Sequence, residues 1–295
     1  ASSVLLLVCL ATAQSAPQSA TSDLVSRAKE FLQRIDREYG DWNNRGTLAS
    51  WAYASNITDE NLANQLAISA EFAEYVRKVN VEVNAFPWRE LEDYSLRRQF
   101  EKLSYPGASA FPKEKFAEYE ETVSRMESVY ATAKICDFVD SNKCDLPLEP
   151  DITEIFINSR NPEELKYAWK AWRDVSGKRV KADFVRYVEL SNEIARLNNF
   201  TDMSAFWLKE YEAEDFEEQV AQLWQQLRPL YLQIHAYVRR ALRIKYGEEV
   251  VPRDKPIPGH LLGNMWAQTW PNIVELSLPY PGKSLPDVTD EMIAQ

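Results

Sequence analysis

Two histidines, a close pair of cysteines and two amides set among tryptophans are the side chains here whose type and spacing could do chemistry. His235 and His260 are the only histidines. A histidine-based metal centre needs two or three convergent ligands, and neither imidazole stands in an HExxH motif or beside a Cys/His cluster. No GxSxG elbow and no P-loop is present, so motifs assign neither a nucleophile nor a phosphate cradle. His260 opens the stretch "GHLLGNMWAQTW" (259–270). Taken as a helix, 261–270 spreads Leu261, Leu262, Met265, Trp266 and Trp270 over half the circumference. Asn264 and Gln268 then form a polar stripe at i, i+4, continued by Asn272 if the helix survives Pro271. A helix that is apolar nearly all round is buried, and buried amides need partners. The stripe either bonds to neighbouring backbone or lines a wet cleft that holds a ligand.

Cys136 and Cys144 lie in "KICDFVDSNKCDL"; the third cysteine, Cys9, falls in the apolar run "VLLLVCLATA" (4–13). That run, with Ala11-x-Ala13, has the core and cleavage pattern of a secretory signal over residues 1–13, without a basic start or a methionine. It is too short to span a bilayer, which takes roughly 20 apolar residues, and no other stretch is long and apolar enough. An even cysteine pair behind a signal points to a Cys136–Cys144 disulfide; two free buried thiols are the other reading. Asn56-Ile57-Thr58 and Asn199-Phe200-Thr201 are glycosylation sequons, which agrees with a secreted, extracellular protein.

The elements that must position these groups are helical. The 295 residues are 45% hydrophobic, enough for a sizeable core, and contain only 8 glycines. The net charge of −11 and a pI near 4.9 repel phosphate and exclude nucleic acid as the natural partner. Apolar residues recur at helical spacing over 23–39, 58–81, 90–104, 113–135, 151–158, 162–176, 183–198, 202–211, 215–246 and 258–276. Pro112 and Pro162 suit first-turn positions, whereas Pro229 should kink or split the 215–246 helix. The breakers gather in "SYPGASAFP", "EEVVPRDKPIPG" and "LPYPGKSLPD", and a further helix begins at Leu285-Pro286-Asp287. The charge runs "YEAEDFEE" (211–218) and "YVRRALRIK" (237–245) form solvated faces; the basic run has no interleaved aromatics for base stacking. The chain reads as all-α, without repeats or a visible domain boundary.

"PIPGHLLGNMWAQTW" (256–270) closely resembles a stretch of the angiotensin-converting enzyme family of zinc peptidases. "WAYASNITDEN" (51–61), "ICDFVDSNKCDLPLEPD" (135–151), "AWRDVSGK" (171–178), "RYVELSNEIARLNNFT" (186–201), "WLKEYE" (207–212) and "RPLYLQIHAYVRRALRIKYG" (228–247) follow the family's order, nearest in pattern to insect single-domain members. The resemblance implies an all-helical ellipsoidal domain with a deep central channel and lid helices at its N-terminus. It also implies zinc held by HExxH and a downstream glutamate, and removal of C-terminal dipeptides from peptides with a free C-terminus. The family's domain is much longer than this chain, and its zinc ligands and catalytic residues would fall beyond Gln295. Residues 14–295 are therefore expected to be the N-terminal part of one peptidase domain. By the same resemblance, Gln268 matches the glutamine that grips the substrate carboxylate. Thr269 and Glu149 match residues of the neighbouring substrate pocket. Arg173 and Tyr211 match ligands of two chloride sites, and His260 matches a histidine that does not bind zinc. The alternative is a secreted, non-catalytic helical relative acting as a binding or scaffold protein, which downstream sequence without HExxH would support.

Overall fold

The computed structural model describes residues 16–280, 283 and 288–294, with side chains from residue 22. The signal-like run at 1–13 and the helix start at Leu285-Pro286-Asp287 lie outside the described residues. The described chain is all-α apart from one short strand pair, and it divides into two compact units. No described helix is long and apolar enough to cross a membrane.

The first unit takes Ala1–Ser124 with Asp183–Glu210. It contains α1 (Ala16–Ser55), α2 (Asp59–Ala85), α3 (Tyr94–Leu103), the start of α4 (Lys113–Thr132), most of α7 (Lys181–Leu197) and α8 (Met203–Leu208). Caps set several starts: Thr58 accepts from the Asn61 N–H, Asp93 from Leu96 and Asp202 from Ala205. α1 and α2 pack through Ala28, Ile35, Val79 and Val83, with Phe31 stacked on Phe100 at 5.2 Å. A second cluster gathers Phe111 and Phe116 with Leu190 and Ile194 of α7. The spacing predicts a helix ending near Tyr39, yet α1 runs on through Gly40 and Gly46 to Ser55. Tyr39 and Trp42 pack on Phe72 at 5.5 and 5.9 Å. Burying those rings outweighs the cost of about 1 kcal/mol per helical glycine.

The second unit takes Arg125–Ala182 with Tyr211–Gln295. It holds the end of α4, β1 (Lys134–Ile135) paired antiparallel with β2 (Leu146–Pro147), α5 (Thr153–Asn158), α6 (Pro162–Val175), α9 (Phe216–Tyr246), α10 (Val274–Ser277) and α11 (Thr289–Ile293). The Cys136–Cys144 disulfide closes the loop between the strands. Asn161 caps α6 with Pro162 in its first turn. Ile152, Phe156, Trp172, Leu242 and Leu261 are at most 1% exposed and form the core.

Three expectations need correction here. Pro229 does not split α9, which continues across it for 31 residues; one lost hydrogen bond is carried by the helix around it. The helix expected over 258–276 is absent. Gly259–Leu261 is a 3-10 turn, Pro271–Ile273 is a 3-10 turn running into the short α10, and 262–270 between them is an irregular loop. The strand pair, finally, cuts short the helix expected to reach residue 135. The absence of a visible boundary in the sequence has a structural cause. The chain passes between units inside α4, inside α7 and at the turn before Tyr211, so no flexible linker marks the crossings.

α9 buries little of its apolar surface. Only Val238 and Leu242 are buried, while Leu223, Leu227, Leu230 and Ile234 are 56%, 58%, 61% and 46% exposed along one face.

Candidate functional site

Side chains that outcompete the helix shape the 262–270 loop. Asn264 Oδ1 accepts from the Trp266 N–H at 2.9 Å, while its Nδ2 donates to the Thr269 carbonyl at 2.8 Å and hydroxyl at 3.0 Å. A short polar side chain that bonds nearby backbone offers the chain an alternative to helical hydrogen bonds. Asn272 Nδ2 donates to the Gly263 carbonyl at 2.8 Å, and the Trp270 indole to the Ala267 carbonyl at 3.0 Å. Gly263 and Ala267 take left-handed φ of 87° and 54°. At Gly263 a Cβ would sit 3.1 Å from Asn272 Cβ, so the left-handed φ favours glycine and a side chain would also press on Asn272.

The amides of the supposed stripe therefore part company. Asn264 and Asn272 bond backbone of their own loop, whereas Gln268 is exposed and makes no hydrogen bond among the described residues. Thr269 is exposed too, its hydroxyl held by Asn264. Trp266, expected to be buried, is 43% exposed.

Arg173 of α6 reaches this loop. Its Nη2 donates to the Met265 carbonyl at 2.9 Å, its Nη1 to the Met265 sulfur at 2.9 Å and to the Trp169 carbonyl at 3.1 Å. The guanidinium lies 3.6 Å from the Trp169 ring centroid and 5.8 Å from that of Trp266. No carboxylate pairs with it among the described residues, and burial pushes its pKa below the ordinary arginine value. It remains a cation, since guanidinium keeps its proton in proteins. A half-buried cation met only by carbonyls, a thioether and aromatic faces is a place where a small anion is stabilised.

Glu149 sits in the Leu148–Ile152 turn with extended φ and ψ, its carboxylate accepting from the Thr153 hydroxyl at 2.7 Å. Burial raises the Tyr130 phenol pKa, with the Glu149 charge adding to it. Tyr130 also stacks on Trp266 at 6.2 Å, so Glu149 and the loop share an aromatic neighbour. Tyr211 is exposed and stacked on Phe216 at 3.9 Å; no hydrogen bond or ring contact joins it to Arg173 among the described residues. His260 is half-buried in the turn before the loop. Burial, then the Lys166 charge, lowers its pKa, so it stays neutral. His235 lies apart on α9, beside Tyr231. No three His, Cys, Asp or Glu side chains converge as a metal group among the described residues, which thus do not fit a zinc centre.

Sequence reasoning missed Asn264 as the organiser of the loop and Tyr130 as the link to Glu149. A glycine beside an asparagine in an apolar run is turn punctuation, and Gly263-Asn264 was that signal. Nothing local marks Tyr130.

An all-helical chain with an uncommitted amide on a stiffened loop, and a cation without an acid that reaches that loop from α6, can hold a ligand carrying a carboxylate or another small anion. Comparison with known proteins gives the family. The family model for angiotensin-converting enzyme, a peptidase family, matches residues 22–295. Angiotensin-converting enzyme of Haematobia irritans exigua is 48% identical over 268 residues, covering 91% of this chain and 44% of that protein. The angiotensin-converting enzyme-like protein Ace3 of Mus musculus is 39% identical, covering 99% of this chain and 40% of its own. The enzyme of Theromyzon tessulatum is 38% identical, at 92% and 44% coverage. The chain belongs to the angiotensin-converting enzyme family and spans less than half the length of these relatives.

Proposed function

We propose that this chain is the N-terminal part of a secreted zinc metallopeptidase that removes dipeptides from the C-terminus of peptides, with Gln268 donating to the substrate's terminal carboxylate. The observation that carries the reading is the free Gln268 amide on a loop whose shape is held by the Asn264, Trp270 and Asn272 side chains. Preorganisation matters because a donor held in place is not reordered when substrate arrives. Thr269 and Glu149 flank the same pocket, Glu149 through its shared neighbour Tyr130. Arg173 and Tyr211 serve two separate chloride sites, Arg173 with its uncompensated charge. Zinc ligands and the general base belong to sequence that this chain does not include, in line with its coverage of the relatives. The exposed apolar face of α9 supports the same view, since a bare stripe of that length on a secreted protein calls for a covering surface.

The experiment is Gln268→Ala in the full-length enzyme, assayed on paired peptides with a free or an amidated C-terminus. A hydrogen bond to a charged group is worth about 1.5–3 kcal/mol, so kcat/KM for the free acid should fall about 10- to 100-fold, with little change for the amide. Equal loss on both substrates would overturn the assignment.

A further inference from the structure

We infer that the first sugars of an N-glycan on Asn199 are seated in a cavity of the first unit, so that the modification is a structural part of that unit. The inference rests on the Asn199-Phe200-Thr201 sequon and stands apart from the peptidase reading. Asn199 lies exposed in the turn after α7, at φ 68°, and its carboxamide makes no hydrogen bond among the described residues. Thr201, the residue the transferase reads with it, is exposed too.

What distinguishes this asparagine is its position on the wall of a cavity of about 410 Å³, within the range that holds small ligands. Tyr105 and Phe200, with ring centroids 5.4 Å apart, give the wall aromatic faces. Ser104 and Asn84 contribute polar groups, and Lys209, paired with Glu101 at 2.8 Å, adds charged ones. Trp88 also lines the cavity; it is 6% exposed, and its indole N–H is buried without an acceptor. A buried donor without a partner is destabilising until something accepts from it. Aromatic faces beside amides, hydroxyls and ion-pair donors form a surface that suits the first N-acetylglucosamine. Its pyranose C–H face packs on rings, while its hydroxyls and acetamide carbonyl bond to polar neighbours. The other sequon offers a contrast: Asn56 follows the end of α1, and neither described cavity includes it.

The full-length protein, produced through the secretory pathway of cultured eukaryotic cells, supplies the test. Glycopeptide mass spectrometry should find Asn199 occupied. Under native conditions PNGase F should release the Asn199 glycan about tenfold or more slowly than the Asn56 glycan, with the difference abolished by denaturation. Trimming with endoglycosidase H, which leaves one sugar, should preserve the melting temperature that complete removal lowers. Trp88→Phe should destabilise the glycosylated protein more than Asn199→Gln protein, a non-additive pair. If the Asn199→Gln chain fails to fold, enzymatic removal from the folded protein replaces it. An unoccupied Asn199, equal native release at both sites, or additive effects would each overturn the inference.

Discussion

Asn264→Ala in the full-length enzyme tests the loop most directly, because one side chain makes three of its hydrogen bonds. The substitution removes the acceptor of the Trp266 N–H and the donor to both the Thr269 carbonyl and hydroxyl. These bonds are at the surface, so each contributes near the lower end of the usual net range, about 0.5–1 kcal/mol. Together they hold the loop closed by about 1.5–3 kcal/mol, an equilibrium factor of about 10 to 100. Because the rest of the core does not touch this side chain's polar atoms, the loss is local. Hydrogen exchange followed by mass spectrometry should show the Trp266 amide exchanging faster by that factor, with helix α6 and the Phe156–Trp172 core unchanged. In the peptidase assay the same variant should raise KM for free-acid peptides more than it lowers kcat, since Gln268 must then be ordered at each binding event. Asn264→Asp keeps the acceptor and loses the donor, and should fall between. Unchanged Trp266 exchange in Asn264→Ala would refute the claim that this side chain organises the loop. Uniform destabilisation of the whole chain would refute the claim that its effect is local.

Other consequences follow from the same geometry. Gly263→Ala meets both a left-handed φ and a Cβ contact at 3.1 Å, and should cost about 1–3 kcal/mol in thermal or urea denaturation. His260 has a folded-state pKa below the unfolded value of about 6.5. Its contribution is complete above that value and is lost as pH falls from there towards the folded pKa, because the unfolded chain binds a proton that the folded one resists. His260→Gln should remove that slope from urea titrations run across the window. Replacing both Cys136 and Cys144 by Ser should cost about 2–3 kcal/mol, as expected for a short closed loop, and would be seen as a lower denaturation midpoint. Expressed by itself, this polypeptide should bind no stoichiometric zinc, cleave no peptide and take up hydrophobic dye at the α9 face, as isothermal titration, peptidase and fluorescence assays would show.

Much of the helical frame was legible because its signals are local. Helical periodicity, with Pro162 in a first turn, marked most of the helices, and close cysteines behind a signal-like segment pointed to the disulfide. Family membership was readable from long Trp-rich stretches, of which 256–270 was the clearest. Gln268 was singled out by resemblance, and the structure leaves its amide uncommitted.

The loop around Gln268 was not legible, for a physical reason. Between Leu261 and Trp270 the residue types satisfy a helical wheel, and periodicity weighs only which residues are apolar. The outcome turned on Asn264, Asn272 and Arg173 reaching backbone carbonyls and amides that a helix would have used itself. Arg173 comes from a different helix, far away in sequence. In the same way, α1 outran its glycines because α2 supplied aromatic rings to pack against. Residue order alone determined which segments could be helices and which family they belong to. Side-chain bonds to backbone, some from distant helices, together with packing between helices decided where helices stop and which amide stays free, because those hydrogen bonds and buried area outweigh the few tenths of a kcal/mol per residue that local propensity supplies.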